Sequence, residues 1–220
     1  MLSFPVTGGT PAARREFVAG LLAMHSFWYT EATRRFEAAA AADPTFVMAQ
    51  WGVAMSHAQL LFQNDELEPG RAALARIGDV SALSPRERAW IGAARELYAS
   101  ELVAERRHAF RLAMEKLHAD YPDDDEASLF LSLALQSDHK EEDIDVATRA
   151  RAGSLALEVF GRNPRHPGAA HYIIHAFDTP DLAALALPAA RVYARIAPAA
   201  FHARHMPAPI FSRFGLWEEA

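Results

Sequence analysis

The chain has 220 residues, of which 51% are hydrophobic and 23% are charged, and this balance is that of a folded protein. It has no cysteine, which excludes disulfides and thiolate ligands. The net charge is −6, and no basic stretch is long enough to follow a phosphate backbone, so we expect no nucleic-acid partner. The first ten residues do not resemble a signal peptide, and no apolar segment is long enough to span a bilayer. We therefore expect a cytoplasmic protein that makes no membrane contact.

The N-terminal part of the chain contains a helix pair over Ala13–Phe46. Its two predicted helices are Arg14–His25 and Tyr29–Ala42. The pair carries small residues, an aromatic residue and a proline that ends the second helix because it cannot continue the hydrogen-bond ladder. These residues are Gly20, Ala32, Phe36, Ala39 and Pro44.

The middle of the chain, residues 60–143, is predicted to be helical but irregular. It follows a helix over Val47–Gln59 and begins with a loop at Asn64–Gly70. Ser84 and Glu87 form a capping-box pattern that starts a new helix. The acidic run Asp123–Glu126 is expected to be a solvated helix start, and Ser137–Asp143 a polar loop. The predicted helices of this part are Pro85–Ala99, Glu101–Asp120 and Asp125–Ser137.

The last third of the chain repeats with a period of 34 residues. Alanines recur at this spacing, at Ala152, Ala186 and Ala220, and so do prolines, at Pro164 and Pro198. The sequence stops where a further helix would begin, so we expect either a longer natural chain or self-association through this uncapped end. The predicted helices are Ile144–Phe160, Ala169–Phe177, Asp181–Ile196 and His205–Phe214.

This pattern resembles the tetratricopeptide repeat, a 34-residue helix–turn–helix unit. The resemblance implies an all-α fold of antiparallel helix pairs stacked into a right-handed α-solenoid. It implies one domain over residues 1–220, with regular repeats over 13–59 and 144–220. Three further runs are similar to a group of bacterial tetratricopeptide-repeat proteins, although those typically carry histidine in place of Gln59 and Pro209. The runs are His25–Tyr29, His166–His175 and His205–Pro207.

The resemblance also implies a function, because the first helix of each pair lines a concave groove in this family. Aligned in this way, seven residues face the groove. They are His25, Trp51, His171, His175, Asp178, His202 and His205. The first hypothesis is therefore an interaction module that binds a peptide or protein partner in its groove.

The second hypothesis is a metal-binding protein or metalloenzyme. His171 and His175 are four residues apart, so both imidazoles lie on one face of a helix, and His205 is expected at the same level on the neighbouring helix. Such a set favours zinc, copper or another divalent transition metal. The residues do not decide between binding and catalysis. The other histidines, His108, His118 and His139, fall at predicted surface positions.

Overall fold

The computed structural model describes residues 2–62, 64–139 and 144–220, and every regular element within these ranges is a helix. The all-α prediction is therefore confirmed. None of the described helices is both long and apolar enough to cross a membrane. The helices are α1 (Pro11–His25), α2 (Tyr29–Ala42), α3 (Val47–Ser56), α4 (Leu67–Ala75), α5 (Pro85–Glu96), α6 (Val103–Asp120), α7 (Asp125–Ser137), α8 (Val146–Arg162), α9 (Pro167–Phe177), α10 (Ala183–Ile196), α11 (Phe201–His205) and α12 (Pro207–Arg213).

Several of these helices begin at a polar side chain that accepts a hydrogen bond from the first turn. Thr10 caps α1, Asp145 caps α8, and Ser84 forms the predicted capping box with Glu87 at the start of α5. Such caps satisfy backbone N–H groups that have no partner inside the helix. Local sequence therefore determines where these helices start.

The structure differs most from the predicted elements at two places, and elsewhere the helix ends shift by up to three residues. Helix α4 occupies part of the segment Asn64–Gly70, which was predicted to be a loop. The predicted helix His205–Phe214 is replaced by α11 and α12, which meet at Met206. Pro207 lacks a backbone N–H and occupies the first turn of α12, so it starts a new helix rather than continuing the old one. Residues 140–143 of the predicted loop Ser137–Asp143 lie outside the described residues.

Most successive helices pack against one another, and several odd-numbered helices also make contacts with each other. Helix α3 contacts both α1 and α5, and α9 contacts α7. Helix α9 also contacts α1, although the two are far apart in sequence. This contact brings the C-terminal turn of α1 against the face of α9 that carries His171.

The centre of the molecule is filled by aromatic side chains. Phe4, from the segment before α1, lies with its ring centre 5.2 Å from those of Trp51 and Trp90. Phe17 and Phe130 complete the group, with ring centres 5.6 Å from Phe4 and 5.2 Å from Trp90, respectively. Burial of such large rings is a major source of stability, and here it fixes the odd-numbered helices around one centre.

Candidate metal centre

Helix α9 is an interior helix that carries two histidines on one face. Ten of its 11 residues are buried, because the segment is apolar nearly all round. His166 caps its first turn by accepting from the Ala169 amide at 3.4 Å, and Pro167 occupies the first helical position. His171 and His175 follow one turn apart, as the sequence predicts.

Three imidazoles converge at this face. The Nε2 atoms of His171 and His175 are 3.0 Å apart, and His202 approaches them from α11. One ring nitrogen of each of the three residues lies within 4.8 Å of the other two. Nitrogens bound to one tetrahedral ion lie about 3.3 Å apart, so side-chain adjustment would bring all three to a shared ion.

The hydrogen bonds indicate which ring nitrogens carry protons. His171 Nδ1 lies 2.7 Å from the backbone carbonyl oxygen of His25, and a carbonyl can only accept, so Nδ1 carries the hydrogen. In the neutral ring, the lone pair of His171 is then on Nε2, which faces His175. His202 Nε2 is buried and has no hydrogen-bond partner among the described residues. His171 Nε2 thus carries a lone pair directed into the cluster, and His202 Nε2 has no hydrogen bond that a metal ion would have to break.

Burial keeps these histidines neutral. It lowers the pKa of His171 well below its ordinary value, and the neighbouring His175 and His202 lower it further. Burial, followed by repulsion from His202, lowers the pKa of His175 to about 3. Burial and the neighbouring His205 lower the pKa of His202 to about 4. The neutral imidazole is the form that binds metals, so the cluster is in the ligating state at pH 7.

Aromatic rings surround the three histidines. Phe27 lies with its ring centre 4.3 Å from that of His171 and 5.4 Å from that of His175. Tyr193 stacks on His171, and the Phe62 ring lies 5.9 Å from His202. An apolar surround of this kind fixes the rings and limits the access of water.

Phe27 adopts an unusual backbone conformation at the end of α1. Its φ is +52°, in the left-handed region that glycine normally occupies at this position of a helix end. The Phe27 and Trp28 amides donate to the carbonyls of Met24 and Ala23, which is the double hydrogen bond of a Schellman motif. A non-glycine residue here costs about 1 kcal/mol. The contacts of the Phe27 ring with His171 and His175 offset this cost, and glycine could not make them.

A second buried cluster lies on the other side of His25. Glu126, at the start of α7, accepts from His25 Nε2 at 2.8 Å and from His166 Nε2 at 2.9 Å. The Tyr172 hydroxyl lies 3.0 Å from His25 Nδ1. Burial alone would raise the pKa of Glu126, but the charges and hydrogen bonds of the two histidines hold it at about 2. His25 therefore connects the two clusters. Its ring bonds to Glu126, and its backbone carbonyl accepts a hydrogen bond from His171.

The structure places the predicted site residues in three different environments. His171 and His175 lie together as predicted, but the third imidazole beside them is His202. His205 is exposed at the end of α11, with its ring centre 6.4 Å from that of His202. The predicted helix begins at His205, whereas α11 spans Phe201–His205, so His202 is helical and lies beside α9 while His205 lies at the exposed end.

The remaining predicted groove residues do not line an open groove together. His25 and Trp51 are fully buried, His25 against Glu126 and Trp51 in the aromatic centre. Asp178 lies at the surface end of α9 and pairs with Arg213 at 2.8 Å. No open groove forms around Trp51, because Phe4 and the neighbouring aromatic rings fill the space beside it. The family resemblance did not predict this, since it assigns no role to the segment before α1.

Two residues of the buried clusters were missed from the sequence. Glu126 was expected to be solvated with the acidic residues before it, but it is fully buried. Within the run His166–His175, no separate role was predicted for His166. Its place directly before Pro167 is nevertheless typical of a residue that caps a helix. The sequence positions of Glu126 and His166 do not show that His25, from α1, lies between these two side chains.

Comparison with known proteins adds no assignment. No family model matches this chain, and no curated protein matches it.

Proposed function

We propose that this chain binds one divalent transition-metal ion through His171, His175 and His202. The observation that carries the proposal is the convergence of three imidazole nitrogens within 4.8 Å of one another. Imidazole ligands suit zinc, copper, nickel and ferrous iron. Two nitrogens bound at about 2.05 Å to a tetrahedral ion lie about 3.3 Å apart, so the observed 3.0 Å between His171 and His175 needs little adjustment.

Three protein ligands leave a tetrahedral ion with one position for a water or a small ligand. Structural zinc sites are normally closed by four protein ligands, whereas three ligands are typical of sites where the ion acts on a bound molecule. A metal ion at an open position acts as a Lewis acid and lowers the pKa of bound water. We therefore favour a metal site that takes up an exogenous ligand over a purely structural one.

Binding would require one change of tautomer. In the ion-free protein, His171 Nε2 accepts from His175 Nε2–H, so the His175 proton moves to Nδ1 when both Nε2 atoms bind the ion. No proton is released at pH 7, because the lowered pKa values keep the imidazoles neutral. The affinity is then nearly constant from pH 8 to pH 6, whereas an exposed histidine pair loses affinity below its ordinary pKa near 6.5.

The test is a zinc titration of tag-free, chelator-treated protein, followed by calorimetry at pH 8, 7 and 6. We expect His171→Ala, His175→Ala and His202→Ala each to lower the affinity of this site at least about 10-fold, as loss of one ligand from three does. His205→Ala is the matched control, since it removes an exposed imidazole beside the site. An effect of His205→Ala as large as that of His202→Ala, or a steep loss of affinity between pH 7 and 6, would contradict the proposal.

The predicted peptide or protein partner, the stacking of tetratricopeptide-type pairs into a right-handed solenoid and self-association through the C-terminal end stay predictions. The two buried residues assigned to the groove, His25 and Trp51, cannot contact a partner in this arrangement. What supports the metal site over groove binding is that its ligand atoms already lie together. Groove binding has no comparable set of exposed residues among those assigned to it.

A further inference from the structure

We propose that His25, Glu126 and His166 form a second metal site, in which two imidazoles and one carboxylate bind a divalent first-row transition-metal ion. The site is separate from the three-histidine site, and His25 touches both. One ligand atom of each residue lies within 4.8 Å of the other two. Two histidines and one carboxylate with open positions are a set that suits ferrous iron and related ions.

The distances fit a shared ion. His25 Nε2 lies 2.8 Å from Glu126 Oε2, and His166 Nε2 lies 2.9 Å from Glu126 Oε1. Neighbouring ligands bound at about 2.1 Å and at right angles are about 3.0 Å apart. Small side-chain movements would therefore let an ion replace the two N–H···O hydrogen bonds.

The proton balance requires a tautomer change in both rings. In the ion-free protein each Nε2 donates to Glu126, while His25 Nδ1 faces the Tyr172 hydroxyl. When the ion binds the Nε2 atoms, each proton moves to Nδ1 of its own ring. The Tyr172 hydroxyl can turn to accept one of them, and the other ends the long 3.4 Å contact between His166 and the Ala169 amide. No proton leaves the site.

The charge of the cluster favours a cation. Glu126 is fully buried and ionised, and its ion-pair partners among the described residues are the two imidazoles alone. A buried carboxylate is costly unless a positive charge lies beside it, and a bound divalent ion supplies that charge in full.

A surface cavity lies beside this cluster. Its volume is about 440 Å³, and both Glu126 and His166 belong to its lining. Its lining also includes Arg86 and four aspartates, Asp120, Asp123, Asp124 and Asp125. Three of these aspartates are paired with cations, Asp120 with Lys116, Asp124 with Arg86 and Asp125 with Arg162. The carboxylates of the lining still outnumber these cations, so the cavity favours cations beside the cluster.

The experiment is the stoichiometry of Co²⁺ and Zn²⁺ binding to tag-free, chelator-treated protein, by calorimetry and by metal analysis after desalting. We expect two equivalents in the unmodified chain. His166→Asn should leave one, and it keeps a side chain that caps α9 as well as histidine does. Glu126→Gln should also leave one, whereas Asp123→Asn, which changes the cavity but not the ligands, should leave two.

The outcomes separate the two sites. One equivalent in the unmodified chain, abolished by His202→Ala, would overturn the second site and leave the first. Two equivalents retained in folded His166→Asn would overturn it as well. If His202→Ala removes nothing and His166→Asn removes the single equivalent found, the second site stands and the three-histidine proposal fails. Circular dichroism of each variant establishes that the fold is intact, and His166→Asn decides if Glu126→Gln does not fold.

Discussion

Gly168 lies where the two histidine clusters meet. A Cβ added at this position would overlap the His25 ring at Nδ1, the atom that faces the Tyr172 hydroxyl. The close approach of α9 to α1 therefore depends on the absence of a side chain here. Only the structure reveals this, because Gly168 in the sequence reads as an ordinary residue near a helix start.

We expect Gly168→Ala to lower the free energy of unfolding by about 1–3 kcal/mol, since the added methyl group displaces the His25 ring from a filled core. Gly161→Ala is the matched control. Gly161 lies in α8 with nothing within 4 Å of an added Cβ, so alanine there should be neutral or stabilising by up to about 1 kcal/mol. Urea denaturation measures both, and equal midpoints for the two variants would contradict the described α1–α9 contact.

Individual site residues were predictable from sequence only where their partner is local. The spacing of His171 and His175 places both on one helix face wherever that helix lies. His202, Glu126 and His166 join the clusters through contacts between distant elements, and local patterns carry no information on such contacts. The acidic neighbours of Glu126 even favoured the opposite interpretation, that of a solvated helix start.

At the scale of elements, the small residues of the repeat pattern lie at close helix contacts. Ala32 in α2 and Ala186 in α10 are both fully buried. The boundaries of α2 and α7 match those predicted. Local sequence determines these boundaries, because α2 is rich in alanine and α7 begins after the capping residue Asp124. The sequence does not predict the split between α11 and α12, because Pro207 lies two residues past the predicted helix start at His205 and is compatible with the first turn of one helix.

We expect Ala32→Leu and Ala186→Leu each to destabilise the protein by about 1–3 kcal/mol, because a larger side chain forces two packed helices apart. Ala41→Leu and Ala184→Leu are the controls, on the exposed faces of the same two helices. Thermal unfolding followed by circular dichroism provides the comparison. If the buried and exposed substitutions shift the melting temperature equally, the two alanines do not occupy close helix contacts.

At the scale of the whole molecule, the buried histidines make stability depend on pH. An imidazole in the unfolded chain titrates near 6.5, whereas the folded protein holds the pKa of His175 at about 3 and that of His202 at about 4. Between these values the unfolded state binds more protons, so stability falls as the pH falls from about 6.5 towards 4. Glu126 acts in the same direction at lower pH, because its pKa of about 2 lies below its unfolded value.

We expect the free energy of unfolding of the chelator-treated protein to fall by about 2.4 kcal/mol per pH unit between pH 6 and 5, because His175 and His202 together take up a little under two protons on unfolding there. His175→Gln should reduce this slope by about one proton, since glutamine does not titrate. Urea denaturation at several pH values measures the slope. A slope near zero would show that these imidazoles are protonated in the folded state.

The contact between α1 and α9 also has a consequence for how the protein is made. His171 bonds to the carbonyl of a residue 146 positions earlier, and the second proposed site takes His25 from one side of this closure and His166 from the other. A nascent chain exposes its N-terminal helices first, and pairing over so long a separation is slow. His25 therefore leaves the ribosome long before its partners exist. The second set of ligands is not complete until the start of α9 has been synthesised and has closed onto α1, so metal uptake at that site would report this long-range closure.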